Sequence, residues 1–189
     1  NAGNNGEVCE GSDIVVSGTA SNYSNISWST SGDGAFGNPA LLQTTYTPAA
    51  QDIQQGNVFL TLTAQPVSPC QVADADQLYL SIATNPTCNA GNNLVICEGD
   101  HAGLLGTAQN YDYSLWTTSG DGTFQNPSTL NTDYFPGAID IQNQTVVLTL
   151  TAHPDEPCQV VATDDRTITI QNAPEVNAGP DITICETNL

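Results

Sequence analysis

Hydrophobic and polar residues alternate along several segments of the chain, and the clearest of these segments occurs twice. Apolar side chains occupy every second position over residues 58–64 and again over 146–152, with mostly threonine between them. A period of two is typical of a β-strand that buries one face. The shorter segments 14–20 and 25–30 are predicted strands as well. Leu78, Leu80 and Ile82 predict another inward face.

Turn signals separate these segments. Ser-Gly-Asp-Gly stands at 31–34 and again at 119–122, and we interpret both copies as hairpin turns in which glycine supplies a positive φ. The stretch 48–56 predicts a single helical turn, because it contains few β-branched residues. Short strands, glycine- and proline-rich turns and little helix predict an all-β fold, an immunoglobulin-like β-sandwich.

The pattern repeats with a period of 88 residues. Asn-Ala-Gly begins at 1, 89 and 177, and Pro-x-x-Pro-Cys-Gln-Val ends at 72 and 160. Aligned without a gap, residues 1–88 and 89–176 are identical at 44 of 88 positions. A period of this length is close to that of a self-sufficient sandwich. We therefore predict a linear array: one domain at 1–88, a second at 89–176, and the start of a truncated third repeat at 177–189.

Charge and composition exclude several classes of function. The 189 residues contain 20 acidic and one basic residue, Arg166, for a net charge of −19. Such a chain has no basic surface for nucleic acid or for anionic membrane. It has no apolar run of 18 residues, so no membrane insertion is predicted. Because it begins at Asn1 without an initiator Met, we expect a piece of a longer mature protein.

The cysteines point to an oxidising compartment. Cys9 and Cys70 lie 61 residues apart, as do Cys97 and Cys158. One disulfide within each domain, Cys9–Cys70 and Cys97–Cys158, is the simplest interpretation. Zinc is disfavoured because no cysteine pair has the short spacing of a zinc site.

Two cysteines fall outside these pairs. Cys185 belongs to the third repeat, and we expect its partner there. Cys88 has Val176 as its counterpart, and it is either a free thiol or bonded to Cys185 or another chain.

A family resemblance rests on the repeated motifs. The chain carries Asn-Ala-Gly-x-x-x-x-x-Cys-Glu, Trp-x-x-Ser-Gly-Asp-Gly-x-Phe, Tyr-x-Pro and Leu-Thr-Leu-Thr-Ala. These motifs resemble the tandem immunoglobulin-like or PKD-like repeats of very large Bacteroidota surface proteins, similar to gliding-motility adhesins exported by type IX secretion. The resemblance implies a secreted, cell-surface adhesive or mechanical filament and carries no catalytic residues.

No catalytic constellation is visible in the sequence. The only histidines, His101 and His153, stand at non-equivalent positions of the repeat, and no nucleophile elbow or phosphate loop occurs. Residues kept in both copies are more readily explained as structural ones. We therefore predict that the chain is not an enzyme.

Calcium is the one cofactor that the sequence leaves open, since hard cations prefer several oxygen ligands. The weak candidate ligands are Glu10, Glu98, Asp74, Asp76, Asp164 and Asp165. The alternative for the aspartates is a solvated charged strand edge that prevents aggregation. The two glutamates follow repeated cysteines, near the junction between repeats. For two further repeated pairs a structural role is favoured: a hairpin turn for Asp33 and Asp121, and capping of a short turn for Asp52 and Asp140.

Aromatic residues offer the remaining chemistry. Trp28 and Trp116 are favoured as core residues over sugar-stacking platforms. Tyr23 and Tyr111 are loop aromatics and the candidates for ligand contact.

Two functions are consistent with these features. The first is a non-enzymatic, disulfide-locked stalk, whose partners are the neighbouring repeats and other surface proteins or polysaccharide. The alternative is a carbohydrate- or surface-binding module accessory to a secreted enzyme.

Overall fold

The computed structural model describes residues 1–181, and Cys185 lies outside the described residues. The first repeat contains two sheets packed face to face. Its elements are β1 (Gly6–Cys9), β2 (Ile14–Ser17), β3 (Tyr23–Thr30), β4 (Ala35–Phe36), β5 (Gln43–Thr47), α1 (Ala50–Gln55), β6 (Asn57–Pro66) and β7 (Asp74–Ala83). One sheet has the order β1-β7-β6-β3 and the other β2-β5-β4.

The second repeat has the same plan, preceded by a short connecting strand. Its elements are β8 (Thr87–Asn89), β9 (Leu94–Cys97), β10 (Ala102–Leu105), β11 (Thr107–Gln109), β12 (Tyr113–Thr118), β13 (Thr123–Phe124), β14 (Asn131–Phe135), α2 (Ala138–Asn143), β15 (Thr145–His153) and β16 (Ala162–Gln171). Its larger sheet runs β9-β16-β15-β12, its smaller one β10-β14-β13, and β8 pairs with β11.

Each repeat encloses its own hydrophobic core. Along β6 the side chains of Val58, Leu60 and Leu62 are buried while Phe59 is exposed, so the alternation in the sequence marks the inner face. Trp28 is 3% exposed and lies in the first core, and Trp116 occupies the same place in the second. The predicted all-β fold is confirmed, and so is the core position of both tryptophans.

The parallel pairing of β1 with β7 positions the first cysteine of each repeat. Cys9 stands opposite Ala83, the last residue of β7. In the second repeat, Cys97 stands opposite Gln171 at the end of β16. The first cysteine therefore lies where the chain leaves one repeat for the next.

The Ser-Gly-Asp-Gly turns differ from the prediction. None of their glycines has a positive φ. A Cβ on Gly32 would instead lie 1.6 Å from Oδ1 of Asp52, and one on Gly120 the same distance from Oδ1 of Asp140. Glycine is required here because a carboxylate packs directly on the backbone, which is a second reason for glycine in turns.

The predicted helical turn at 48–56 is confirmed as α1, whose C-cap residue is Gly56 with φ 72°. Neither helix within residues 1–181 has the length and apolar character needed to cross a membrane.

Candidate functional site: the junction between the repeats

A disulfide joins the two repeats. Cys9 at the end of β1 is bonded to Cys158 in the loop between β15 and β16, with the two Cα atoms 4.9 Å apart. Both half-cystines are buried, at 7% and 4% exposure. The bond fastens one end of the first repeat to the facing loop of the second.

The predicted pairs Cys9–Cys70 and Cys97–Cys158 are wrong in this structure. Cys9 lies beside the last residue of β7, whereas Cys70 lies just before its first residue, Asp74. A strand of ten residues is about 33 Å long, and Cα atoms more than about 7 Å apart cannot be bridged by a disulfide. The cysteines of one repeat therefore lie at opposite ends of the sandwich. Cys70 and Cys97 are exposed and unpaired within the described residues.

The connection between the repeats is short and held from both sides. Only three residues, 84–86, separate β7 from β8. The backbone N–H of Glu10 donates to the carbonyl of Ala83 at 2.8 Å, and the Glu10 carboxylate accepts the N–H of Asn85, also at 2.8 Å. Glu10 therefore fixes the direction in which the chain leaves the first repeat, which is a structural role at the predicted place.

Cys88 closes the junction on the side of the second repeat. It lies in β8, which pairs with β11, and its Sγ is 3.5 Å from the carbonyl oxygen of Leu150. The side chain packs against the second core, and this burial raises the pKa of the thiol. The sequence left open whether Cys88 is a free thiol or forms a disulfide. Within the described residues, its thiol is unpaired. Cys88 acts as a small apolar plug, meaning a side chain that fills a gap at the edge of the second core.

The remaining calcium candidates also contact the protein itself. Asp76 accepts the N–H of Ala2 at 2.8 Å, and Asp164 accepts the N–H of Ala90 at 2.7 Å. Hydrogen bonds from the amides of Ala2 and Gln77 lower the pKa of Asp76. Both aspartates therefore hold the first residues of their own repeat against its sheet, rather than forming a free charged edge.

The other three carboxylates lie at exposed positions. Asp74 accepts the N–H of Ala75, Asp165 accepts the hydroxyl of Thr149, and Glu98 accepts the N–H of Ala173 at 3.3 Å. Within residues 1–181, no three His, Cys, Asp or Glu side chains come together in a way that could hold a metal ion. Calcium binding by these residues stays a prediction, and melting curves with and without calcium test it.

The repeated aspartates Asp33 and Asp52 form a capping pair, in which Asp52 is buried and Asp33 is exposed. The Asp52 carboxylate accepts the N–H groups of Asp33 and Gly34 at 3.2 and 3.0 Å. In return the Asp33 carboxylate accepts the N–H groups of Gln51 and Asp52 at the start of α1. The pair holds the turn and the helix together, and Asp121 and Asp140 form the same pair in the second repeat.

A tyrosine completes each aspartate pair. The hydroxyl of Tyr46 donates to Asp52 at 2.6 Å, and that of Tyr134 donates to Asp140 at the same distance. Burial, followed by the neighbouring carboxylate, raises the pKa of each tyrosine to about 12. Neither tyrosine was predicted as a functional residue from the sequence, although the repeated Tyr-x-Pro motif marks both.

One buried charged side chain, that of Arg166, lies within the larger sheet of the second repeat. The only basic residue of the chain is 4% exposed in the middle of β16, where the first repeat has Leu78. Its Nη2 donates to the carbonyl of Asn92, and burial lowers the pKa of the guanidinium. Arg166 therefore supports the packing of the second repeat.

The two candidate ligand-binding tyrosines lie in different surroundings. Tyr23 is 36% exposed at the start of β3 and borders a surface groove that Cys70 also lines. Tyr111 is half-buried in the turn between β11 and β12. A role in ligand contact stays a prediction for both.

Comparison with known proteins shows the fold. No protein-family model matches the chain, and no curated protein sequence matches it. Among solved structures, mouse cadherin-23 EC22–24 is similar over 89% of this chain and 63% of its own, with 14% identity and a TM-score of 0.51. Titin domains I67–I69 are similar over 90% of this chain and 64% of their own, with 12% identity and a TM-score of 0.52.

A third similar structure is protocadherin gammaB7 EC3–6, with 11% identity, a TM-score of 0.50 and coverage of 90% of this chain and 46% of that one. The chain thus spans between about half and two thirds of the length of these structures. At this level of identity the similarity concerns architecture alone: immunoglobulin-like and cadherin-like β-sandwiches in tandem.

Proposed function

We propose that this chain is a non-enzymatic spacer from a long, secreted cell-surface adhesin or filament, of the type that Bacteroidota use in adhesion and gliding motility. In this proposal each 88-residue repeat is one rigid unit of a linear array, with boundaries at 1–88 and 89–176 and a third unit beginning at 177. Neighbouring repeats are then the principal partners of each unit.

The observation that carries this proposal is the disulfide between Cys9 and Cys158. It joins consecutive repeats rather than the two sheets of one repeat. Together with the three-residue segment 84–86, it gives the junction two covalent connections. Two covalent connections restrict bending far more than one flexible linker does, which is useful in a stalk that holds a binding tip away from a surface.

Charge supports the same function. The net charge of −19 keeps exposed rods of one kind apart at moderate ionic strength. The sole basic residue, Arg166, is buried, so the surface of the described residues presents no lysine or arginine to an anionic partner.

Small-angle X-ray scattering of the oxidised chain and of the double variant C9S/C158S tests the spacer function. We expect one elongated shape with a well-defined separation between the two sandwiches, and a broader distribution of separations in the variant. The matched control is C70S/C97S, which removes two exposed cysteines and should leave the curve unchanged. Equally broad distributions in all three proteins would contradict a stiff junction.

A binding experiment separates the spacer from the alternative, a carbohydrate-binding module. We expect no saccharide on a glycan array to bind the oxidised chain. If a saccharide binds the chain and this binding is lost in Y23A or Y111A, the function is ligand recognition instead.

A further inference from the structure

We propose that each end of this two-repeat unit is a docking face for another repeat of the same kind, and that a disulfide equivalent to Cys9–Cys158 recurs at every junction. Cys97 would bond the next repeat, and Cys70 the preceding one. The inference rests on the proposed array and adds to it a covalent bond of defined register.

The face around Cys97 already has the geometry of the face around Cys9. The N–H of Ser12 donates to the carbonyl of Cys9 at 3.1 Å, and that of Asp100 donates to the carbonyl of Cys97 at the same distance. Beyond the cysteine, Glu98 accepts the N–H of Ala173 as Glu10 accepts that of its counterpart, Asn85. The chain therefore leaves the second repeat along the path by which it leaves the first.

The loop that carries Cys70 likewise matches the bonded loop that carries Cys158. The N–H of Cys70 donates to the carbonyl of Val67, and the N–H of Cys158 to that of Asp155, both at 3.0 Å. The difference between the loops is exposure. Cys158 is buried by the junction, whereas Cys70 is open to solvent. Cys70 and Cys97 thus make the same local backbone hydrogen bonds as their bonded counterparts, Cys158 and Cys9.

A groove beside Cys70 shows what is missing from this face. It has a volume of about 630 Å³, and Ala20 and Leu62 contribute to its apolar lining. Their counterparts in the second repeat are Ala108, which pairs with Cys88, and Leu150, whose carbonyl lies next to the Cys88 thiol. The equivalent surface of the second repeat is therefore covered by the strand that arrives from the repeat before it.

The opposite end carries the matching plug. Val176 is the counterpart of Cys88 at an offset of 88 and is 98% exposed, although it is apolar. A third repeat would place Val176 where Cys88 lies now, against the core of that repeat. An exposed groove at one end and an exposed plug at the other are complementary, so the occupant of each face is another repeat.

Bond formation at these faces follows ordinary thiol–disulfide exchange. The thiolate of Cys97 attacks a disulfide oxidant, such as oxidised glutathione, and one thiolate leaves. The partner cysteine of the next repeat then displaces the second. The two cysteine thiols lose two electrons and two protons, and the oxidant gains them as two thiols. An extracytoplasmic compartment supplies such oxidants.

Extending the full chain by one repeat tests the proposal. Residues 177–189 align with 89–101, so fusing a second copy of residues 102–176 after Leu189 completes a third repeat. The protein carries C88V, which introduces the residue that stands at 176. It is oxidised with glutathione disulfide, alkylated, digested without reduction, and its linked peptides are identified by mass spectrometry.

We expect a peptide that joins Cys97 to the appended copy of Cys158, together with loss of Cys97 alkylation. In the matched control the appended copy of Cys158 is replaced by serine, and Cys97 should be fully alkylated. If the appended repeat resists proteolysis while Cys97 is alkylated or bonded elsewhere, the proposed recurring disulfide is wrong and the array stands. A second version carries residues 14–88 in place of the appended copy of residues 102–176. If the appended repeat fails to fold in both versions, the array is overturned, and the recurring disulfide with it.

Discussion

Asp33 and Asp52 each accept hydrogen bonds from the backbone segment that carries the other. Asp52 is fully buried and also accepts the hydroxyl of Tyr46. This reciprocity explains why two acidic residues 19 positions apart occur in both repeats, and why the intervening chain returns to the same place.

Replacing Asp52 should therefore destabilise the first repeat strongly. D52A leaves the N–H of Gly34 and the hydroxyl of Tyr46 without their buried acceptor, which costs about 3 kcal/mol of unfolding free energy. Denaturant unfolding followed by tryptophan fluorescence measures this loss. The control is D74A at an exposed aspartate, where we expect a change of less than about 0.5 kcal/mol. Equal effects of the two substitutions would show that the pair contributes nothing.

The close approach of Asp52 to Gly32 gives a second prediction. G32A places a methyl group on a carboxylate oxygen that cannot move without losing its partners, so the melting temperature should fall. G103A is the matched control, because a Cβ there has only Asp133 Oδ1 within 4 Å, at 3.8 Å, and the residue lies in a strand. Calorimetry of both variants measures the difference. If G32A and G103A have the same melting temperature, the close contact between Gly32 and the Asp52 carboxylate is contradicted.

The raised pKa of Tyr46 predicts a loss of stability at alkaline pH. The folded state holds the neutral hydroxyl up to about pH 12, whereas an unfolded tyrosine ionises near pH 10. The unfolding free energy contributed by Tyr46 is thus complete below pH 10 and is lost as the pH rises from about 10 to 12. Y46F lacks this loss, so the difference in stability between the native chain and Y46F should shrink over that interval.

Alkylation of the free thiols before this titration prevents disulfide exchange at high pH. Y79F, at a tyrosine on the outer face of β7, serves as the control. A difference between native chain and Y46F that is constant from about pH 9 to 12 would argue against the raised pKa of Tyr46 in the folded state.

The disulfide predicts unequal roles for the four repeated cysteines. Closing a loop of 149 residues stabilises the folded chain by up to about 5 kcal/mol in the chain-entropy model. C9S/C158S should therefore melt at a lower temperature than the native chain and become insensitive to reductant. C70S/C97S should retain the native melting temperature and its sensitivity to reductant. Equal losses of stability in the two variants would instead indicate pairing within each repeat, because each variant removes one cysteine from both of those bonds.

The predictable part of this fold was the part written in local patterns. Alternation over 58–64 identified the inner face of β6, because a strand has one period whatever its surroundings. The pairing of the cysteines was not predictable in this way. In a regular array, the spacing of 61 within a repeat and the spacing of 149 to the next repeat both recur with the same period of 88, so only the strand geometry separates them.

The burial of Asp52 was equally beyond the sequence pattern. A carboxylate is an exposed residue by default, and what buries this one is a set of backbone donors that come from a turn 18 residues away. The role of Cys88 depended on a contact between repeats. In each case the missing information was a long-range contact, not a local preference.

The bond between Cys9 and Cys158 also decides how the chain responds to tension. A pull on its two ends passes from the backbone before Cys9 through the sulfur bridge to the backbone after Cys158. The intervening residues cannot be extended while this bond is intact. Without the bridge, unfolding of that stretch would release about 500 Å of slack. With the bridge this length cannot be released, so the two repeats extend very little under tension.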